Sequence, residues 1–418
     1  MREFFMVTKM QADDESTGRL QINVTGENNE PIENATVRIE ENEDVVENVG
    51  TDISGQTDEL ILVAPDIGLS LDENNTVRPY SKYRIIIQAE GYETEVVNGA
   101  EILPEVLAIS NVRLKREQDD NMDEFDIPPH TLYGDYPQKE REPEISPVSE
   151  SGEIVLSRVV VPETIVVHDG VPSDSTAPNY YVPYRDYIKN VASSEIYATW
   201  PIEAIKANVL AIMSFTLNRV YTEFYRNKGY VFTITSSTAY DQKWINGRNI
   251  FEPISVVVDE IFNQYLSRPN IKQPILTQYC DGKKVTCPNW LSQWGSCNLA
   301  RQGYDSLSIL RYYFGNSIYI NQTEQISGIP SSWPRQNLTI GSSGEKVRQI
   351  QEQLFTIATV YPALPQIVAD GIYGEQTQAT VRSFQRIFNL PISGIIDFAT
   401  WYKISQIYVG ITRIAEPA

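Results

Sequence analysis

A run of prolines and acids between residues 116 and 158 limits what this chain can fold into more than any other feature. Pro128, Pro129, Pro137, Pro143 and Pro147 stand there, and from Glu117 to Glu150 there are 11 Asp and Glu against 2 Lys and Arg. Proline removes a backbone donor, and crowded like charges resist burial, so the stretch reads as neither helix nor central strand. It divides the 418 residues into units that must each bury a core of their own. Residues 116–158 are therefore expected to be an acidic, proline-rich linker, an exposed arm that contains an activation cleavage region. The charge splits at the same place. Residues 1–150 hold 34 Asp and Glu against 12 Lys and Arg, a net of −22, and residues 151–418 hold 21 against 22, a net of +1. An acidic segment beside a near-neutral body fits a tail or a detachable pro-segment, and it argues against nucleic-acid binding, which needs a basic patch.

The flanking segments read as follows. Residues 1–17 form a tail without the apolar core of a secretory signal, so no Sec signal is expected. The longest uncharged apolar run, between Lys206 and Arg219, has 12 residues, too few to insert through a membrane. Residues 18–115 read as all-β: Leu20, Ile22 and Val24 alternate with polar residues, as do Val37 and Ile39, then Tyr83, Ile85 and Ile87. Turn signals at 27–31, 52–55 and 91–92 space these runs as in a seven-strand sandwich. Residues 159–325 mix α and β. A strand at Thr164–Val167 precedes helices expected at Val182–Ile196, Pro201–Tyr225, Ile254–Leu266 and Leu307–Phe314. Residues 336–415 read as a small helical unit, with Val347, Ile350, Leu354 and Ile357 on one helix and Val381, Phe384 and Phe388 on another. The fold class is thus multidomain α+β.

Two of these units carry recognisable wording. Gly18, Glu30-Pro31-Ile32-Glu33-Asn34-Ala35-Thr36-Val37, Thr51-Asp52-Ile53-Ser54-Gly55 and Ala89-Glu90-Gly91-Tyr92 resemble the carboxypeptidase regulatory-like β-sandwich, which implies an accessory domain without a catalytic role. Gly344-Glu345-Lys346-Val347-Arg348, Gln351, Leu354, Asp370-Gly371-Ile372-Tyr373-Gly374, Thr377, Val381-Arg382-Ser383-Phe384-Gln385 and Thr400-Trp401 resemble the three-helix peptidoglycan-binding domain. That likeness implies a cell-wall partner and places the chemistry in residues 159–325.

Residue counts then narrow the reaction. His130 and His168 are the two histidines, which excludes multi-histidine metal sites, so no metal and no cofactor are expected. A Cys–His peptidase would have to pair His168 with Cys280, Cys287 or Cys297; His168 otherwise reads as a strand-end hydrogen-bonding residue. The odd cysteine count leaves a Cys280–Cys287 disulfide or free buried thiols open. Glycosidic cleavage needs only carboxyl groups, one of them protonated to assist the leaving oxygen. Glu195 is the best placed, near a helix end between aromatic residues; Tyr197 and Trp200 read as walls for a sugar face. By itself such a glutamate is more often a solvated charge. Asp241 and Glu203 are the other carboxyls in reach, the first reading also as a turn residue and the second as a partner of its helix dipole.

Val191-Ala192-Ser193-Ser194-Glu195 with Trp200-Pro201-Ile202-Glu203-Ala204, then Tyr279-Cys280-Asp281-Gly282, Leu291-Ser292-Gln293-Trp294-Gly295 and Ile309-Leu310-Arg311-Tyr312-Tyr313, resemble the catalytic domain of the stage II sporulation protein D family. The resemblance implies a lytic transglycosylase of peptidoglycan with Glu195 as catalytic acid. It also implies substrate contacts at Tyr197, Trp200, Tyr240, Asp241, Tyr279, Ser292, Gln293 and Trp294, with 292–295 as a loop lining the groove, and it adds zinc near the cysteines as a third alternative. The order of units is similar to that of the germination-specific spore cortex-lytic enzymes. It implies a zymogen kept in the spore cortex or coat, with cortex peptidoglycan as substrate and a subtilisin-like germination protease as activator. Residues 18–158 are expected to block the groove or to hold the wall-binding unit away from it.

Overall fold

The computed structural model describes residues 16–117, 122–145, 156, 158–328 and 332–412. The tail expected at 1–17 and the connector residues 146–155 lie almost wholly outside them. The first unit contains β1 (Thr17–Thr25), β2 (Thr36–Glu41), β3 (Asp44–Gly50), β4 (Leu60–Val63), the short α1 (Gly68–Leu71), β5 (Ser81–Gln88), β6 (Thr94–Ile102), β7 (Leu107–Arg113) and β8 (Met122–Asp126). One sheet contains β7-β1-β4 and the other runs β3-β2-β5-β6-β8. Period-two patterning decides which side chains turn inward. Leu20, Ile22 and Val24 on β1, Val37 and Ile39 on β2, and Ile85 and Ile87 on β5 are wholly buried in a shared apolar core.

The segment expected as an exposed linker is not one where it is described. Residues 122–126 form β8, which pairs in parallel with β6 from Thr94↔Met122 to Asn98↔Asp126. Beyond it Ile127, His130, Leu132 and Lys139 are buried. The prolines do keep helices out of 127–145, but the acids find distant cationic partners, described below.

The second unit starts with β9 (Thr164–His168) and β10 (Asn179–Pro183), an antiparallel pair. Pro183 ends the strand and the chain enters α2 (Tyr184–Glu195); Pro201 likewise precedes α3 (Ile202–Tyr221). β11 (Ile234–Thr235) joins β9 in parallel. β12 (Ile250–Phe251) leads to α4 (Glu252–Ile261), with Pro253 in the first turn. The helix expected to reach Leu266 stops at Ile261, because residues 264–267 become β13 (Gln264–Ser267) and pair with β16 (Tyr319–Gln322). Between them lie β14 (Tyr279–Cys280), β15 (Leu291–Ser292), α5 (Gln293–Arg301) and α6 (Ser306–Phe314). α3 is apolar nearly all round and packs against α2, α4, α5, α6 and β13, which makes it the central rod of the unit.

The first two units are stitched together. β12 adds to the first sheet by pairing antiparallel with β7, through Ile250↔Ile109 and Phe251↔Ala108. Beside it, Asn249 accepts from the Glu101 amide at 3.0 Å and donates to the Glu101 carbonyl at 2.9 Å, and the Arg248–Glu101 ion pair is buried.

The third unit is α7 (Glu345–Val360), α8 (Glu375–Ile387) and α9 (Phe398–Thr412). Two glutamines brace its two turns in the same way. Gln351 accepts from the Gly371 amide and donates to Asp370, Ile372 and Thr377, while Gln385 accepts from the Gly394 amide and donates to Ser393, Ile395 and Thr400. Gly371 (φ 78°) and Gly394 (φ 68°) hold left-handed conformations that a side chain would strain. Arg185 of α2 fixes this unit, pairing with Asp259 and donating to the Tyr402 carbonyl of α9. A cavity of about 850 Å³ lies where the three units meet, lined among others by Asn23, Arg185, Lys189, Tyr402 and Lys403. Glu195 does not line it.

A candidate active site beneath a strap

α2 ends at Glu195 because the chain must turn there into Trp200-Pro201 and α3. The Gln293 side chain of α5 donates to the Glu195 carbonyl at 3.0 Å and fixes that helix end. The Glu195 side chain is 2% exposed. Its Oε1 accepts from the Lys243 amide at 2.7 Å, while Oε2 is buried without a hydrogen-bond partner among the described residues. The Tyr279 hydroxyl is likewise buried without a hydrogen-bond partner among the described residues, and it interacts electrostatically with the Glu195 carboxyl. Burial pushes the Glu195 carboxyl above its ordinary range; the Lys139 ammonium and the Lys243 amide hold it back. A raised pKa keeps the proton on the carboxyl to higher pH than usual, the direction a general acid needs.

The loop after β11 supplies the other wall. Asp241, expected as a substrate contact, is wholly buried, and Arg219 Nε (2.7 Å), Tyr225 Oη (2.5 Å), the Thr235 amide (2.9 Å) and Thr235 Oγ1 (2.8 Å) fill its lone pairs. It anchors the loop that brings the Lys243 amide to Glu195. Gln242, between them, accepts from Tyr187 Oη and Thr216 Oγ1 and donates to the Ile212 carbonyl, tying α2 to α3. Glu203 accepts from the Ser306 amide at 2.7 Å and so caps α6.

The aromatic residues are placed differently from an open sugar wall. Tyr197, Trp200 and Trp294 form one buried cluster with centroids 5.0–6.0 Å apart. The first unit covers them: Trp200 Nε1 donates to the Ser70 carbonyl at 3.0 Å, and the His130 ring lies 4.5 Å from Tyr197. Burial holds His130 well below its ordinary pKa, hence neutral. Residues 292–295 are not a loop. Ser292 caps α5, accepting from the Gly295 amide at 3.0 Å, and Gln293 and Trp294 sit in its first turn. Tyr240 is partly exposed, and its carbonyl takes Arg219 Nη2 at 3.4 Å. The geometry thus brings Gln293 to the Glu195 end of α2, holds Asp241 and the Tyr240 carbonyl on Arg219, and gathers Tyr197, Trp200 and Trp294 into one cluster beneath the first unit.

The segment from His130 to Glu144 runs past this end of α2, where the Thr131 amide and hydroxyl donate to the Ser194 carbonyl at 3.2 and 3.0 Å. Its Lys139 ammonium donates to the Asp241 carbonyl and sits over the rings of Tyr279 (4.4 Å) and Phe215 (4.9 Å). Lys139, Arg219 and the Lys243 amide were missed in the sequence. Lys139 had a signal, since it is one of two bases in a long acidic run; the other two belong to no local pattern.

The cysteine alternatives resolve to a Cys280–Cys287 disulfide, with a Cα–Cα distance of 5.7 Å, and a free, buried Cys297. Cys280 and Cys287 therefore leave no thiol to pair with His168. That histidine bonds Asn179 at 2.9 Å and stacks on Phe232. Among the described residues no group of three or more metal-ligating side chains forms a site, and no helix is long and apolar enough to cross a membrane.

Comparison with known proteins bears on two of the three units. The zinc D-Ala-D-Ala carboxypeptidase of Streptomyces albus G is 41% identical over 71 residues, 17% of this chain and 26% of that protein, so the chain spans about a quarter of the relative's length. Among solved structures, the SleB N-terminal domain is 28% identical, covering 18% of this chain and 97% of its own with a TM-score of 0.16. The Bacillus anthracis TIE protein is 19% identical, covering 24% and 17% with a TM-score of 0.18. A family model described as "Stage II sporulation protein" matches residues 174–266, which include Glu195, Tyr197, Trp200, Tyr240 and Asp241 but neither Tyr279 nor α5. A second, "Putative peptidoglycan binding domain", matches residues 343–404. These two segments support a role in processing cell-wall peptidoglycan in sporulation.

Proposed function

We propose that the chain is a lytic transglycosylase of spore cortex peptidoglycan, made as a zymogen of the SleC type. The observation that carries this reading is the Glu195 carboxyl, buried at a helix end with one oxygen fixed by a backbone amide and the other unpaired. Protonated Glu195 donates to the glycosidic oxygen between a muramic acid and a glucosamine residue, and the C1–O bond breaks. The muramic C6 hydroxyl closes on C1 as a 1,6-anhydro ring and returns its proton to Glu195. One carboxyl serves both steps, and the intramolecular hydroxyl replaces water at an entropic advantage. A hydrolase would use a second carboxylate about 5–9.5 Å away. Asp241 is saturated by Arg219, Tyr225 and Thr235, and Glu203 caps a helix, so neither is free for that work.

A second reading, a wall or coat protein that binds glycan without cutting it, draws on the covered state of Glu195. The zymogen reading answers it, because the cover belongs to the part of the chain ahead of the connector. On this reading a subtilisin-like germination protease cuts the connector in the spore. The test is Glu195→Gln in the full chain cut between Ser146 and Val155. Release of glycan ends from cortex peptidoglycan should fall at least about 100-fold, the scale of a lost general acid. Unchanged release would remove Glu195 from the mechanism.

A further inference from the structure

We propose that residues 139–144 are an internal stand-in for substrate: their path marks the glycan track beside Glu195, and the Glu142 and Glu144 carboxylates fill two guanidinium sites, Arg219 and Arg268, that take carboxylates of the peptidoglycan once the strap is gone. The inference rests on the transglycosylase reading and adds to it the substrate chemistry and the regulation of the same site.

The strap is held as an extended ribbon, not as a casual loop. The Glu140 amide donates to the Ala239 carbonyl at 2.6 Å, and Gln278 Nε2 donates to the Glu140 carbonyl at 2.7 Å. The Glu142 amide donates to Gln278 Oε1 at 3.1 Å, and the Leu276 amide to the Glu144 carbonyl at 2.8 Å. Alternate residues are thus anchored, as on a strand, and Glu142 and Glu144 fall on one side about 7 Å apart. Each meets a two-pronged arginine. Arg219 reaches Glu142 at 2.9 and 2.5 Å, and Arg268 reaches Glu144 at 2.7 and 2.8 Å.

Arg219 is wholly buried and keeps Asp241 on its Nε, but among the described residues its Nη1 is satisfied by Glu142 and its Nη2 by Glu142 at 2.5 Å and the Tyr240 carbonyl at 3.4 Å. Lifting the strap leaves buried donors without acceptors, a costly state that an incoming carboxylate relieves. Arg268 has no carboxylate other than Glu144 among its described partners; the rest are the Phe314 carbonyl and Ser317. Peptidoglycan offers carboxylates on its peptide stems, spaced along the glycan, and a planar guanidinium recognises that group in a fixed geometry. Lys139 completes the block. Its ammonium, which donates to the Asp241 carbonyl and sits over the Tyr279 ring, adds positive charge that favours the ionised form of Glu195, the form that cannot donate a proton.

The experiment uses the full chain, uncut, with Glu142→Gln and Glu144→Gln together. The pair should release glycan ends from cortex peptidoglycan at least tenfold faster than the uncut native chain. Glu140→Gln, an exposed strap carboxylate without an ion pair among the described residues, should stay as latent as native. A synthetic peptide of residues 138–145 should inhibit the cut native chain, and its two-glutamine version should inhibit at least tenfold more weakly; this arm does not depend on the variant's folding. A cut native chain that cleaves while the double variant stays latent and the peptide has no effect overturns the inference and leaves the transglycosylase reading standing. A cut native chain inert on peptidoglycan overturns that reading, and the inference with it.

Discussion

Glu195 is a carboxyl whose two oxygens are treated unequally, one fixed by the Lys243 amide and one buried without a partner. Its pKa is raised in the folded chain, so folding takes up a proton between the ordinary carboxyl range and the raised value. Stability from this group is fully present below the ordinary range and is lost as pH rises through the folded pKa. Glu195→Gln, which cannot ionise, should therefore raise the melting temperature of the full chain at pH 7, with the gain shrinking as pH falls toward 4; a constant gain would contradict the burial argument. The neighbouring Asp241 is a different case, a wholly buried carboxylate paired with Arg219 at 2.7 Å. Asp241→Asn should cost about 3 kcal/mol in chemical denaturation, the scale for breaking a buried ion pair. A cost near zero would make the pair incidental. The sequence ranked Glu195 first but could not foresee the setting of Asp241, because what fixes it is Arg219, Tyr225 and Thr235, brought in by α3, the turn after it and β11.

Elements show the same division between what is local and what is not. α3, α7 and α8 announce themselves by periodicity, and α3 also by Pro201 before its first turn. α5 did not, because Ser292-Gln293-Trp294-Gly295 carries too few apolar residues to show a period and has a glycine in its first turn. Its start is set instead by the Ser292 cap. Ser292→Ala should lower stability by about 1 kcal/mol, the usual worth of such a cap, and leave KM of the cut chain unchanged. A raised KM with unchanged stability would return Ser292 to substrate contact. The strap was the least legible element. Its composition is that of a linker, and its order comes from Arg219 and Arg268, 77 and 124 residues away from their glutamates. No window of local sequence contains such pairs.

At the scale of the whole molecule, three units are arranged so that the first covers what the second would use. The segment ahead of the connector holds the Ser194 and Asp241 carbonyls through Thr131 and Lys139, the α1 region lies on Trp200, and β12 closes the edge at β7. The charge split gives this arrangement its asymmetry, since residues 1–150 hold a net of −22 and residues 151–418 a net of +1. The central claim is that one carboxyl, once uncovered, cuts glycan by returning its proton rather than by admitting water. Mass spectrometry of the fragments that the cut chain releases from cortex peptidoglycan tests it most directly. The account predicts 1,6-anhydro muramic ends, lighter than reducing ends by one water, roughly 18 Da, because an internal hydroxyl is the nucleophile. Reducing ends in their place would contradict it.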